Sequence, residues 1–188
     1  DKMAKKNNIK TVLVSNGFIE KEPLEDLIPF IDAANIDLKS FNSSFYKKYC
    51  GGSLEPVKNT IKKMSETIHL ELTNLIITDL NDSREDIEKI TDWIASIDKN
   101  IPLHLSRYHP AYKLQKKSTD PETLKMSYKI AQKKLSYVFL DNINIAGAGD
   151  TICTNCGETV INRSGYSIKN LIKDGKCPYC GTDVKGKF

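Results

Sequence analysis

The sequence predicts an α/β chain: a partial (β/α) barrel of about five parallel βα units, followed by a small C-terminal four-cysteine module of zinc-ribbon or rubredoxin-like type. Three observations carry that prediction. From Thr11 onward, short β-branched runs alternate with amphipathic helical stretches, the pattern of a parallel sheet. Along the strands, polar side chains recur on one face while Leu and Ile occupy the other. Near the C-terminus, four of the five cysteines fall as Cys153-x2-Cys156 and, after twenty residues, Cys177-x2-Cys180, a spacing that suits a tetrahedral metal site.

The elements follow in order. Strands are predicted over Thr11 to Ser15, Asn35 to Lys39, His69 to Ile77, Leu103 to Tyr108 and Tyr137 to Asp141. Between them, Leu54, Val57, Ile61 and Met64 share one helical face. So do Ile87, Ile90, Ile94 and Ile97, and then Leu124, Tyr128, Ala131 and Leu135. Helix starts are marked by Pro23 before Glu25 and Asp26, by Asp82 or Ser83 before Glu85 and Asp86, and by Asp120-Pro121-Glu122 with proline at the first helical position. After Asp141 the periodicity stops and Gly147 and Gly149 precede the cysteine pairs. The boundary is therefore set at residue 148, giving a barrel portion over 1–148 and the four-cysteine module over 149–188.

Composition narrows the classes. The 188 residues are 39% hydrophobic and 28% charged, as in a soluble globular protein. No apolar run approaches the roughly 20 residues of a membrane span, so no membrane partner is expected, and nothing at the N-terminus reads as a signal peptide; a cytoplasmic location is expected. The formal charge of +4 comes from 28 basic against 24 acidic residues, with lysines spread along every segment. Nucleic acid is thus not an expected partner, and Lys169, Lys173, Lys176, Lys185 and Lys187 read as a solvated surface. Cys50 stands alone and reads as a small buried hydrophobe.

The inner faces of the strands are unusual for a barrel. Asn35, Asp37 and Lys39 share one face, as do His69, Glu71 and Thr73, and His104, Ser106 and Tyr108. A closed barrel packs that face with Val, Ile and Leu, so imidazole and charged groups there imply a cavity for a polar ligand, or a self-satisfied ion-pair network. Glu71 is expected to pair with Lys39 or His104, His69 to be structural, and Arg107 to pair with a carboxylate near the helix layer. Five βα units are too few for a closed barrel of about 250 residues, and no glycine-rich phosphate loop follows the first strand. The open edge suggests that an N-terminal barrel segment lies outside this chain. It also predicts self-association of the isolated chain.

From Thr11 to Phe188 the chain resembles the radical S-adenosylmethionine enzymes of the AmmeMemoRadiSam system, which are similar to pyruvate formate-lyase activating enzyme, but it matches only the second part of such a protein. The resemblance rests on Ser15-Asn16-Gly17-Phe18, Asp37-Leu38-Lys39, Asn81-Asp82, Leu103-His104-Leu105-Ser106-Arg107-Tyr108-His109-Pro110 and Asp141-Asn142. In the tail it rests on Thr151, Cys153 to Gly157, Arg163-Ser164-Gly165-Tyr166 and Gly175 to Gly181. It implies that Ser15, Asn16, Gly17, Asp37 and Lys39 contact S-adenosylmethionine and that His104 and His109 face the substrate. The sequence departs from the family at Thr78-Asp79-Leu80, where Pro-Gly is usual, and at Asp141, where glycine is usual.

The family cleaves S-adenosylmethionine reductively at a [4Fe-4S] cluster held by a Cys-x3-Cys-x2-Cys loop, giving a 5′-deoxyadenosyl radical that abstracts hydrogen from a protein or small-molecule substrate. An electron donor is a further implied partner. This chain contains no such triplet, and four paired thiolates close a metal instead of leaving an open iron position. The catalytic residues are therefore left open, and the chain alone is expected to be inactive. Cys153, Cys156, Cys177 and Cys180 are expected to hold zinc or iron. Two other functions remain for the chain: a rubredoxin-like electron-transfer module, and a zinc ribbon that docks a partner or nucleic acid.

Overall fold

A computed structural model describes residues 2–186. After a short helix α1 (Lys2–Lys6), five parallel strands form one sheet in chain order: β1 (Val12–Ser15), β2 (Ala33–Asp37), β3 (His69–Ile76), β4 (Leu103–Arg107) and β5 (Val138–Asp141). Strictly sequential order with right-handed crossovers puts every connecting helix on the same side, the winding of a barrel wall and not of a doubly wound sheet. The connections carry α2 (Lys21–Leu27), α3 (Ser43–Phe45), α4 (Leu54–Ser65), α5 (Arg84–Asp98) and α6 (Pro121–Gln132). A second, antiparallel sheet of β6 (Thr151–Ile152), β7 (Thr159–Ser164) and β8 (Ser167–Asn170) follows. No helix among the described residues is long and apolar enough to cross a membrane. Of the basic tail residues, Lys187 lies outside the described residues.

One core joins the helices to the outer face of the sheet. Ile36, Leu70, Leu72, Leu103, Leu105 and Leu140 pack against the predicted stripes of α4 (Leu54, Val57, Ile61, Met64) and α5 (Ile87, Ile90, Ile94). In α6 the buried stripe is Leu124, Ser127, Ile130 and Ala131, so Tyr128 sits at its margin and not in it. The caps match their residue types: the Ser83 hydroxyl accepts from the Asp86 amide of α5, and the Asp120 carboxylate accepts from the Glu122 amide of α6, with Pro121 opening the helix.

Three local expectations are corrected. β2 runs over Ala33–Asp37, two residues earlier than expected, because the backbone at Lys39 is held by side chains: its amide donates to the Tyr46 hydroxyl at 3.1 Å, and its carbonyl accepts from Asn74 and Asn81 at 3.1 and 2.6 Å. Arg107 pairs with no carboxylate among the described residues; its Nε donates to the Thr119 carbonyl at 2.9 Å, tying the end of β4 to the approach of α6. Cys50 is exposed, at the end of a π-helical turn over Tyr46–Cys50 that Gly51 terminates at φ +66°.

Asn81 is the joint of the C-terminal strand ends. Fully buried, it accepts from the Ile77 amide at 2.7 Å and donates to the carbonyls of Lys39 and Leu75 at 2.6 and 2.9 Å. Removing that amide takes a partner from the Ile77 amide and from the carbonyls of Leu75 and Lys39, of which Lys39 keeps Asn74, and each buried group left unsatisfied costs about 1–3 kcal/mol. Asn81→Ala should therefore lower the unfolding free energy in urea by about 2 kcal/mol or more; a loss below about 0.5 kcal/mol would show that the joint does not matter.

Candidate metal centre and inner-face cavity

The two cysteine pairs sit on matching knuckles. In the first, Gly157 at φ +77° lets its amide donate to the Cys153 carbonyl at 3.0 Å, and the Cys153 amide donates to Glu158 at 2.8 Å. In the second, Gly181 at φ +74° bonds Cys177 at 2.9 Å, and the Cys177 amide bonds Thr182 at 2.8 Å. A left-handed turn in this position favours glycine. The four sulfurs all lie within 4.8 Å of one another, with Cys153 to Cys180 at 3.6 Å and Cys156 to Cys177 at 3.7 Å. A disulfide needs about 2.05 Å, whereas four sulfurs about 2.3 Å from a tetrahedral ion lie about 3.8 Å apart. The residues present thus fit a single four-coordinate metal ion.

The surroundings favour the thiolate at Cys153 and Cys180. The backbone amides of Cys156 and Asn155 lower the Cys153 pKa, and the hydroxyl and amide of Thr182 bring Cys180 down to about 5. For Cys156 the Glu158 amide acts in the same direction, but desolvation and the neighbouring sulfurs outweigh it and push the thiol up to about 12. Four such sulfurs cannot all ionise side by side without a cation between them. The four cysteines would hold such a cation, with all four thiolates as its ligands.

The module shares its core with the barrel strands. Tyr137 and Phe139, from the inner side of β5, pack with Cys153, Val160, Cys177 and Val184, and Ile172 closes the cluster. Asp150 fastens the junction by accepting from the Arg163 amide at 2.6 Å and from Asn162 Nδ2 at 2.9 Å. Arg163 Nη1 donates to the Gly149 carbonyl and the Thr151 hydroxyl, both at 2.9 Å, and the guanidinium lies 5.5 Å from the Phe139 ring centre.

Along the inner face of the sheet runs a hydrogen-bonded chain. His69 Nε2 meets Glu71 Oε1 at 3.1 Å, Glu71 Oε2 meets His104 Nε2 at 2.8 Å, and His104 Nδ1 meets Asp141 Oδ2 at 3.1 Å. The chain steps diagonally from the start of β3, across β4, to the C-terminal end of β5. Of the two partners expected for Glu71, His104 is the one it meets, while Lys39 pairs with Asp37 at 2.8 Å. Hydrogen bonds from His104 and then His69 hold the Glu71 carboxyl down at about 2. Burial lowers the His104 pKa, but its bonds to Asp141 and Glu71 prevail and raise it to about 9.

The remaining sequence-derived candidates divide. Ser15 ends β1 with Asn16 and Gly17 just beyond it, and Asp37 ends β2, the adjacent strand, with Lys39 two residues further on. The Ser15 hydroxyl accepts from the Gly17 amide and the Asn16 carbonyl oxygen from the Phe18 amide, which leaves a hydroxyl proton and an NH2 group free to donate. Gly17 is explained by packing: φ is +70°, and a Cβ would stand 2.6 Å from Ile36 Cγ2. His104 lines the cavity beneath the module, whereas His109, in the loop after β4 beside Ser118, does not. Asp141 and Arg163 also line the cavity, though the sequence pattern assigns neither a site role. The period-2 alternation of Tyr137, Phe139 and Asp141 would have placed the first of them beside His104, but no local pattern marks Arg163.

An α/β barrel wall carrying a closed four-cysteine metal site defines the class. No protein-family model matches the chain. It is 39% identical over 189 residues to the uncharacterized protein MJ0808 of Methanocaldococcus jannaschii, an alignment that covers 97% of this chain and 56% of that protein. The chain thus spans about half the length of the curated relative it matches. Among solved structures, a domain of pyruvate-formate lyase-activating enzyme from Bacteroides vulgatus superposes with TM-score 0.67 at 18% identity, over 75% of this chain and 86% of that one. A radical SAM methyltransferase from Sphaerobacter thermophilus gives 0.56 at 14%, over 81% and 46%. Streptococcus suis SuiB bound to S-adenosylmethionine gives 0.57 at 17%, over 77% and 34%. At these identities the likeness is one of fold.

Two outcomes follow. Because Cys153 and Cys177 share a core with Tyr137 and Phe139, stripping the metal with a chelator, or Cys177→Ser, should abolish near-ultraviolet circular dichroism from Tyr137 and open the tail beyond Gly149 to protease while far-ultraviolet helix content persists. Protease resistance unchanged by metal loss would contradict the shared core. His104, raised from an ordinary 6.5, stabilises the fold fully below that value and loses its contribution as pH rises through about 9. Glu71, lowered from 4.5, contributes fully above 4.5 and loses it as pH falls through about 2. The stability difference between the wild type and His104→Gln, from urea midpoints, should therefore be larger at about pH 6 than at about pH 9.5. Equal differences would show that the chain of bonds is not ionic.

Proposed function

We propose that this chain is the C-terminal portion of a radical S-adenosylmethionine barrel, with 1–148 as barrel wall and 149–188 as a structural metal module. The observation that supports it is the sequentially ordered parallel sheet, a fold shared with a domain of an activating enzyme, with Ser15 and Asn16 at the end of β1 and Asp37 and Lys39 at the end of the neighbouring β2. In this reading the reductive cluster is supplied by a barrel segment N-terminal to the one seen here. Two features support such a segment: the greater length of the M. jannaschii relative, and the edge strand β1, whose Val12 and Val14 are 66% and 76% exposed.

These residues suit the cofactor. The ammonium of Lys39 complements a carboxylate, and the carboxylate of Asp37 complements an ammonium or ribose hydroxyls. The free hydroxyl proton of Ser15 and the NH2 group of Asn16 are donors for the remaining oxygens and ring nitrogens. Asn74 and Asn81 fix the Lys39 backbone, so its side chain springs from a rigid point. When bound and reduced, S-adenosylmethionine supplies a 5′-deoxyadenosyl radical for hydrogen abstraction. The substrate faces the inner side of the sheet.

In the longer polypeptide, Lys39→Ala should weaken S-adenosylmethionine binding, by equilibrium dialysis, about tenfold or more; wild-type affinity in the variant would remove Lys39 from the site. This chain alone, reconstituted with iron and sulfide and then reduced, should form no 5′-deoxyadenosine above background, and turnover would overturn the division of labour proposed for the two segments.

A further inference from the structure

We infer that the cavity between the inner face of the sheet and the four-cysteine module is a binding site for an aliphatic primary amine, with its ammonium group on Asp141 and its hydrocarbon chain along the β7–β8 hairpin. The site goes beyond the cofactor-binding edge proposed above, since none of its residues lies on β1 or β2. The cavity has a volume of about 870 Å³, within the range of small-molecule sites.

Hydrogen-bond valence selects the ligand's head group. Each carboxylate oxygen of Glu71 already accepts from a histidine, His69 or His104, and both ring nitrogens of His104 are engaged, by Glu71 and Asp141. Asn142 also lines the cavity, but its amide nitrogen is engaged, donating to the Ser106 hydroxyl at 2.9 Å. Among the described residues two atoms of this chain of bonds have no partner, His69 Nδ1 and the second oxygen of Asp141, and of the two side chains His69 is only 10% exposed whereas Asp141 is 44% exposed and open to a ligand. An ionised carboxylate only accepts, so the ligand must donate. Two carboxylates share one imidazolium here, which leaves an excess negative charge and favours an ammonium donor over a neutral hydroxyl.

The opposite wall selects the ligand's body. Ile161 and Ile168 from the hairpin, with Val184 and Phe139, give the cavity an apolar side facing the polar sheet. Ile168 is 65% exposed on an otherwise open strand, an apolar side chain with no packing role in the module's core. Two cations also line the cavity. Lys185 is paired with Asp98 at 3.3 Å, and Arg163 is engaged by Gly149 and Thr151 beside the Phe139 ring. Arg163 sets the competing outcome, since a cavity governed by it would take a carboxylate.

The test follows the imidazole resonances of the three histidines in the purified, metal-loaded chain by NMR, titrating n-hexylamine, hexanoate and Nα-acetyl-lysine amide in parallel. His104 should shift saturably with hexylamine and not with hexanoate, while His109 stays still. A response to the blocked lysine as well would place the amine on a polypeptide side chain; a response to hexylamine alone would place it on a free small molecule. Asp141→Asn should weaken hexylamine binding about tenfold or more. Ile168→Asn, at an exposed position that cannot unfold the chain, should weaken it several-fold. Hexanoate binding as well as hexylamine, an absence of saturable shift, or full affinity in both variants would overturn the inference.

Discussion

A parallel sheet wound in one direction has helices on one face only, and the bare inner face of this sheet governs the rest of the molecule. The helix side could be filled with Leu and Ile, and it is. The other side carries Asp37, Lys39, His69, Glu71, His104 and Asp141, and charges so placed must be paired or left in contact with solvent. The molecule does both. Lys39 pairs with Asp37 near the chain's N-terminal edge, and the two histidines and two carboxylates form one bonded chain across β3, β4 and β5.

The metal module answers a second demand of the same face. Its sheet is too small to bury a core of its own, and it borrows Tyr137 and Phe139 from β5. Phe139 is thereby placed between the His104 ring, 5.1 Å away, and the Arg163 guanidinium. Cys153, Cys156, Cys177 and Cys180 would hold a metal ion with four sulfur ligands, and because Cys153 and Cys177 pack against Tyr137 and Phe139, such an ion would also fasten the hairpin that walls the cavity.

Much of this was legible in the sequence because periodicity and spacing are local. The five strands, the stripes of α4 and α5, the caps at Ser83 and Asp120 and the cysteine quartet each follow from residues within a few positions of one another. What escaped depends on contacts distant in sequence. Lys39 left the strand because Asn74 and Asn81, 35 and 42 residues away, capture its carbonyl. Arg107 found a backbone carbonyl 12 residues away where a carboxylate was expected; Cys50 is a local departure, exposed at the end of a π-helical turn. The pairing of His104 with Asp141 required knowing that β4 and β5 are neighbours, and the place of Arg163 required the docking of one sheet on another.

In the function proposed above, the inner face and its C-terminal edge form part of a barrel that uses S-adenosylmethionine. The most direct measurement is 5′-deoxyadenosine formed by the longer polypeptide that contains this chain, after cluster reconstitution and reduction under anaerobic conditions. The account predicts formation that depends on reductant and is lost in the Asp37→Asn, Lys39→Ala double variant. A fully reconstituted protein that leaves S-adenosylmethionine intact would contradict it.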